Sequence, residues 1–241
     1  MRAGIFIFIT LLTYYFLFKY YEARKIGELS LDRLLKDGLY GIVGAVSAIS
    51  LVILILYLLG YYKILSTNIS TFNVAYLLII ITSLAAFEKV LFRGIGYRIV
   101  EETLETNLAL IIISLLFGLG HIPNDNATVM SVMGTGIGGA LVGMMFSMTR
   151  RLWLPIFFHG GWNFAQACYG MPISGMKDFL TYSPFQGMLQ EPSILTGGSF
   201  GLENFIIIVA LTIIIFVVLY FWVRKGCYLL NLYWKRKSAS E

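Results

Sequence analysis

The sequence predicts an all-α, polytopic membrane protein, a helical bundle with about seven transmembrane helices. Of its 241 residues, 58% are hydrophobic and only 13% are charged, which is about half the charged fraction of an ordinary soluble domain. The mean hydropathy is +0.80, and several apolar runs reach or approach the roughly 20 residues needed to cross a bilayer. Because these runs are continuous rather than alternating, they favour helices over a β-barrel.

Seven apolar segments are the predicted spans. They are Ala3–Phe18, Leu39–Tyr61, Phe72 to about Arg93, Asn107–Ile122, Thr128–Met148, Leu152–Tyr169 and Asn204–Val223. The first is short enough to be a signal peptide, but Leu17-Phe18-Lys19 offers no small-residue cleavage site, which favours a retained helix. Between the first two spans, Lys19–Gly38 intersperses charged residues with Ile and Leu and predicts an amphipathic interfacial helix.

The distribution of basic residues predicts the orientation. Fourteen of the 18 Lys and Arg residues fall in the loops and tail on one side of these seven spans. By the positive-inside rule, that side is cytoplasmic, so the N-terminus lies outside and the C-terminus lies in the cytoplasm. The two cysteines, Cys168 and Cys227, then lie on opposite sides and are interpreted as apolar filler residues.

Two further segments stand out between the spans and within them. The fifth span, Thr128–Met148, is rich in glycine, which favours close packing of helices in lipid. The segment Met171–Glu203 is the longest non-spanning stretch, and it is either a lid that folds back onto the membrane or an ordinary structured loop.

Polar residues inside the apolar spans predict a site within the membrane. Glu88 lies in the third span, His121 near the end of the fourth, and His159 and Asn163 in the sixth. A charge at the bilayer centre costs about 2.5–3.5 kcal/mol on insertion scales, so we expect these side chains to act together. His159 and Asn163 are four residues apart and share a helix face. Interhelical hydrogen bonding is the alternative for that pair, and a polar helix terminus is the alternative for His121.

These residue types suit hydrolysis of an amide bond without a Ser or Cys nucleophile. A Glu and a His can position and deprotonate water, while a second His and an Asn can donate hydrogen bonds to an oxyanion. Two His and one Glu also match a catalytic zinc ligand set, and the residues alone leave both uses open. A proton relay in a small transporter is a third possibility, but no paired repeat halves support it.

Lys89 and Arg93 place two positive charges beside Glu88. They are four residues apart on a helix, where like charges repel, so each needs a carboxylate, a carbonyl or the lipid headgroups. Snorkelling of both side chains to the cytoplasmic surface is the favoured interpretation. In the alternative, Lys89 pairs with Glu88 and weakens it as a base.

Three motifs resemble those of the CPBP family, which comprises the CAAX proteases and the bacteriocin-processing (Abi) membrane proteins. In chain order they are Glu88-Lys-Val-Leu-Phe-Arg93, Phe117-Gly-Leu-Gly-His121 and His159-Gly-Gly-Trp-Asn163. They are similar to the family motifs Glu-Glu-x-x-x-Arg, Phe-x-x-x-His and His-x-x-x-Asn. The glycine-rich fifth span and the later Gly-Gly-Ser-Phe-Gly-Leu-Glu203 also look like this family, so the resemblance covers roughly Phe72–Val223.

The resemblance implies an intramembrane endopeptidase, similar to the Ras-converting enzyme that removes the last three residues of a prenylated CAAX protein. On that pattern, Glu88 and His121 activate water, and His159 and Asn163 stabilise the oxyanion. Arg93, Phe117 and Lys89 occupy supporting motif positions. No cofactor is then required, and the alternative is zinc held by Glu88, His121 and His159.

The resemblance also implies where the protein works and with what. The expected partners are a lipidated or membrane-bound peptide substrate and the membrane lipids, with no nucleic acid. The expected location is a prokaryotic plasma membrane. One structural domain is expected, with N-terminal helices and a linker over 1–71, a catalytic core over 72–223 and a basic cytoplasmic tail over 224–241.

Two features of the sequence are at odds with the endopeptidase interpretation. The second Glu of the first motif is Lys89 here, which leaves a catalytically silent membrane scaffold or a bacteriocin-immunity protein as the alternative function. In addition, Glu88 lies near the cytoplasmic end of its predicted span, whereas His121 lies deep in the next. The two meet only if the third helix extends past Arg93, as far as about Glu105, or if the fourth begins deep in the membrane.

Overall fold

Helices make up most of the protein, as the continuous apolar runs predict. The computed structural model describes residues 2–23, 25–190 and 192–225. The helices are α1 (Arg2–Tyr21), α2 (Leu34–Leu58), α3 (Thr71–Lys89), α4 (Arg98–Thr103), α5 (Thr106–Leu119), α6 (Val129–Thr149), α7 (Trp153–Cys168), α8 (Ser193–Thr196) and α9 (Ile206–Lys225). Single 3₁₀ turns lie at Leu31–Arg33, Leu180–Tyr182 and Leu202–Asn204.

Within the part of the chain that the structure describes, five helical segments are long and apolar enough to cross a membrane. They are Gly4–Tyr21, Leu31–Leu58, Thr71–Thr103, Val129–Thr149 and Ile206–Lys225. The remaining two predicted spans correspond to α5, a shorter apolar helix of 14 residues, and to α7, of 16 residues. An integral membrane protein follows from these helices, while the count of seven spans and the orientation stay predictions.

The third helix is longer than predicted. The backbone continues from α3 through a π-helical stretch, Val90–Tyr97, into α4, so it stays helical to Thr103 rather than ending near Arg93. It ends where Glu105 adopts an extended conformation before α5. Of the two arrangements that would let Glu88 and His121 approach, the structure therefore shows the extended third helix. A π-helix has a wider turn than an α-helix and is found preferentially at functional sites.

The prediction of an amphipathic helix over Lys19–Gly38 is wrong. Helix α1 runs on to Tyr21, and the described residues between 22 and 30 contain no helix but a turn closed by a hydrogen bond from Ser30 N–H to the Gly27 carbonyl (3.1 Å). Tertiary contacts override the local pattern, because the Glu28 carbonyl accepts from Leu152 N–H (3.0 Å) and the Ser30 carbonyl accepts from the Trp153 indole (2.8 Å). This segment therefore anchors the beginning of α7.

A two-stranded sheet departs from the predicted all-α class. Strand β1 (Tyr62–Thr67) pairs antiparallel with β2 (Phe185–Leu189), with a bulge between Ile64 and Ser66. The Tyr62 hydroxyl also donates to the Tyr169 carbonyl (2.8 Å). The long segment before α9 is thus the structured loop of the two alternatives, held by β2, α8 and two of the 3₁₀ turns.

Helix α7 is packed between α2 and α3, while α6 packs against α5 and α9. Glycines allow the closest approaches. A Cβ placed on Gly41 of α2 would lie 2.7 Å from the backbone nitrogen of Phe158 in α7, and one on Gly118 of α5 would lie 2.6 Å from the Val132 carbonyl oxygen of α6. The predicted packing role of the glycine-rich α6 is confirmed by its contacts with α5 and with the Leu202–Asn204 turn.

The cysteine and tail predictions are tested only in part. Cys168 is a free, partly buried thiol at the end of α7. Cys227 and the basic residues after Lys225 lie outside the described residues.

Candidate active site

Lys89 is buried and paired with Glu88. Its Nζ lies 3.1 Å from Glu88 Oε2, and its side chain has no exposed surface. The favoured interpretation, snorkelling of Lys89 and Arg93 to the membrane surface, is therefore wrong, since both side chains are enclosed within the protein. The alternative, an ion pair between Lys89 and Glu88, is confirmed. A buried ammonium needs such a partner because isolated burial of a charge is very costly.

The two neighbouring cations, Lys89 and Arg93, both lie over the ring of Phe117. Lys89 Nζ lies 4.2 Å and the Arg93 guanidinium carbon 4.8 Å from the centre of the Phe117 ring, within the range of cation–π attraction. Arg93 also donates to the Gly139 carbonyl on α6 (2.6 Å). The carboxylate that the like-charge pair needs is thus Glu88, and the carbonyl is that of Gly139.

His159 joins Glu88 to Asn163. Its Nε2 lies 3.1 Å from Glu88 Oε2 and 3.3 Å from Asn163 Nδ2. One ring nitrogen either donates or accepts, so these two contacts are alternatives for a given tautomer. With Nε2–H donated to the Glu88 carboxylate, the Asn163 amide N–H groups are available to another acceptor.

His121 also lies beside Phe117. Its Nδ1 lies 2.7 Å from the Phe117 carbonyl oxygen. Because a carbonyl only accepts, Nδ1 carries the proton and a neutral ring presents a lone pair at Nε2. Its ring centre lies 4.8 Å from that of Phe117, which in turn lies 6.1 Å from that of His159.

The structure keeps one predicted pair, His159 with Asn163, but places His159 rather than His121 in hydrogen-bond contact with Glu88. The sequence grouped Glu88 with His121 and His159 with Asn163. The hydrogen-bonding contacts instead place His159 on both Glu88 and Asn163, while His121 is bonded to the backbone of its own helix end. The bond of Arg93 to the Gly139 carbonyl ties the π-helical stretch that follows Glu88 to α6.

The predicted zinc alternative does not fit this arrangement. Among the described residues, no three His, Cys, Asp or Glu side chains lie close enough together to hold one metal ion. Glu88, the central ligand of that set, is already engaged by the Lys89 ammonium and by His159.

A small cavity adjoins His159. It lies between α6, α7 and α9, and His159 and Phe117 are on its wall together with Thr135 and Glu203. It holds about 50 Å³ of space for water-sized molecules, which is room for a few waters. Thr135 Oγ1 and Glu203 Oε2 are buried without a hydrogen-bond partner among the described residues, as expected where a polar ligand or water binds.

Glu203 is a candidate residue that the sequence reasoning did not assign to the site. It belongs to the 3₁₀ turn before α9, and its Oε1 accepts hydrogen bonds from Gln166 Nε2 (2.8 Å) and Trp162 Nε1 (3.3 Å). Burial raises the pKa of the Glu203 carboxyl above its ordinary value, although these two hydrogen bonds oppose the shift. The available signal was a carboxylate that directly precedes the last predicted span.

Fold and site define a helical membrane protein with a half-buried Glu–His–Asn cluster between the helices of its bundle. Residues 69–165 match the model of the family described as Type II CAAX prenyl endopeptidase Rce1-like. This match confirms the predicted resemblance to the CAAX protease family, and the matched segment contains all three motifs. No curated protein and no solved structure matches the chain.

Proposed function

We propose that the protein is an intramembrane endopeptidase that hydrolyses a peptide bond in a membrane-bound or prenylated, CAAX-type substrate. The observation that carries the proposal is the contact of His159 with Glu88 at 3.1 Å and with Asn163 at 3.3 Å, inside the segment that matches a prenyl endopeptidase family. A carboxylate, an imidazole and an amide in one chain of contacts supply both a base and oxyanion donors.

In the proposed reaction, Glu88 is the base and His121 orients the water through its Nε2 lone pair. The water oxygen adds to the scissile carbonyl carbon as its proton passes to Glu88. A protonated Glu88 no longer attracts the His159 Nε2–H, which is released to the developing oxyanion. Asn163 donates its amide N–H to the same oxygen. Stabilisation of this charge by fixed donors is worth roughly 2.7–4 kcal/mol per donor in well-studied hydrolases.

The surroundings favour a lipid-bearing substrate. An apolar groove of about 490 Å³ lies between α5 and α6, and Phe216 of α9 also lines it. Ile111, Leu115 and Met133, which line it, are exposed on the bundle surface. A prenyl chain entering there from the bilayer would lie beside the two helices that carry the site's Phe117 and Gly139. No resident metal is part of the proposal.

The test is cleavage of a prenylated CAAX peptide by the purified protein in proteoliposomes. We expect the wild type to release the C-terminal tripeptide and Glu88→Gln to lose at least about 100-fold in kcat, since a general base contributes roughly 10²–10⁴-fold. Glu102→Gln, the same change on the same continuous helix but at an exposed carboxylate, is the matched control and should retain activity. Absence of cleavage by the wild type would refute the proposal for this substrate class.

A catalytically silent scaffold or bacteriocin-immunity protein is the second candidate. It is favoured by the occupation of Glu88 Oε2, which Lys89 Nζ and His159 Nε2 both contact at 3.1 Å. Lys89→Glu would restore the family pattern and give Arg93 a carboxylate one turn away. Cleavage by Lys89→Glu alone would support the silent candidate, whereas cleavage by the wild type would exclude it.

A further inference from the structure

The carboxylate of Glu203 accepts hydrogen bonds from two side chains of α7, the helix that carries His159. Trp162 and Gln166, which donate to its Oε1, lie three and seven residues after His159 on α7 and therefore share the face that carries His159. The Gln166 side chain is fully buried and uses its other end too, since its Oε1 accepts from Leu202 N–H (3.2 Å). The side-chain amide of Gln166 therefore bonds to both the backbone and the Glu203 carboxylate of the Leu202–Asn204 turn.

Two glycines make room for this turn. Gly201 has φ +119°, which L side chains rarely adopt, and a Cβ there would lie 3.1 Å from Glu203 Oε2 and 3.3 Å from Gln166 Oε1. On α6, a Cβ on Gly134 would overlap the Glu203 carbonyl oxygen. The backbone on both sides is therefore built for a close approach of Glu203 to α6 and α7.

The second carboxylate oxygen is left without a partner. Glu203 Oε2 is inaccessible to solvent and has no hydrogen-bond partner among the described residues, yet the residue lines the cavity that His159 also lines. An unpaired buried carboxylate oxygen lowers the stability of the fold. Because this one is fixed beside a water-sized cavity, we expect it to have a function that offsets that cost.

We propose that Glu203 is a second catalytic carboxyl, which gives its proton to the leaving amine nitrogen of the scissile peptide bond. This inference rests on the proposed peptidase function and adds its general acid. The water oxygen bonds to the carbonyl carbon and its proton goes to Glu88. The carbon–nitrogen bond then breaks as the Glu203 proton bonds to nitrogen, and proton return from Glu88 through water restores both groups.

The local electrostatics suit a proton donor. Burial raises the pKa of Glu203, which favours the protonated acid. His159 is the other titratable group on the described cavity wall. His121, which follows α5, lowers the pKa of Glu203, but its effect is smaller than that of burial. α6 and α9 contribute uncharged residues to that wall, such as Thr135 and Thr212. Glu88, by contrast, contacts an ammonium, so the two carboxyls occupy environments that favour opposite charge states.

The experiment compares wild type, Glu203→Gln and the control Glu102→Gln on two substrates in proteoliposomes. One is the prenylated peptide amide, and the other is the same peptide with a nitrophenyl ester at the scissile bond, whose leaving group needs no proton. Gln preserves an oxygen acceptor for Trp162 and Gln166 but carries no acidic proton. We expect Glu203→Gln to lose at least about 100-fold in kcat on the amide, with KM unchanged, and to stay within about threefold of wild type on the ester.

Each outcome decides the inference. Equal losses on both substrates would show that Glu203 only positions α7, and no loss on the amide would show that it takes no part; either result overturns this role while leaving the peptidase function standing. Failure of the wild type to cleave either substrate would overturn the proposed function and this role together. Infrared difference spectra supply an independent readout, because a protonated carboxyl band at neutral pH that disappears in Glu203→Gln is expected, and its absence from the wild type would overturn the inference.

Discussion

The contact between α2 and α7 makes Gly41→Ala a sharp test of how the site is positioned. The added Cβ would lie 2.7 Å from Phe158 N, whereas ordinary contacts begin at 3.4 Å, so the two backbones must separate by about 0.7 Å. Phe158 directly precedes His159. If α7 is the helix that yields, it is pushed toward α3, and His159 is displaced by up to about 0.7 Å from its present 3.1 Å contact with Glu88.

The expected effect follows from that displacement. A misplacement of about 1 Å can lower activity by about 100-fold, so we expect a 10- to 100-fold loss of kcat. Overpacking costs about 1–3 kcal/mol, and the better helix propensity of Ala returns up to about 1 kcal/mol. We therefore expect a net loss of up to about 2 kcal/mol in the free energy of unfolding.

Gly44→Ala is the matched control, because it is the same change on the same helix, three residues further on. A Cβ at Gly44 meets nothing within 4 Å, so activity should be unchanged and stability slightly higher. Peptide cleavage in proteoliposomes and thermal unfolding in detergent would be measured for both variants. Equal activity of the two variants would refute the reasoning, since it would mean that α2 moves into the lipid and α7 stays in place.

Three further outcomes are expected. Gly134→Ala should lower cleavage by displacing the backbone of Glu203, whose carbonyl oxygen occupies the site of the new methyl; unchanged activity would argue against the role of Glu203. The pKa of Tyr62 is raised by burial to about 12, so the folded state holds this proton more tightly and loses stability as the pH rises from about 10 to 12. Tyr62→Phe should be less stable at neutral pH but lack that alkaline loss in unfolding measurements, and an identical slope would contradict the assignment. Cleavage should persist in a metal chelator, because Glu88 is engaged by Lys89 and His159 rather than by a ligand set; abolition by chelator and rescue by zinc would contradict this.

The helices and the residues around Phe117 were predictable because membranes impose strong local constraints. Backbone polar groups in lipid must bond within the segment, so apolar runs give the helices to within a few residues, as at Val129–Thr149. The failure over Lys19–Gly38 has a physical reason: the carbonyls of Glu28 and Ser30 bond to the start of α7, and no local pattern encodes such distant partners.

The sequence by itself determined a helical membrane protein with three motifs similar to those of the CAAX proteases, because apolar length and motif spacing are properties of consecutive residues. Only the tertiary structure decided which side chains touch. Packing of α7 against α3 puts His159 rather than His121 in contact with Glu88. Lys89 and Arg93 both lie over the Phe117 ring, and the turn before α9 brings Glu203 to the cavity. These contacts join residues that are 24 to 71 positions apart on different elements, so they depend on helix packing, which spacing along the chain does not specify.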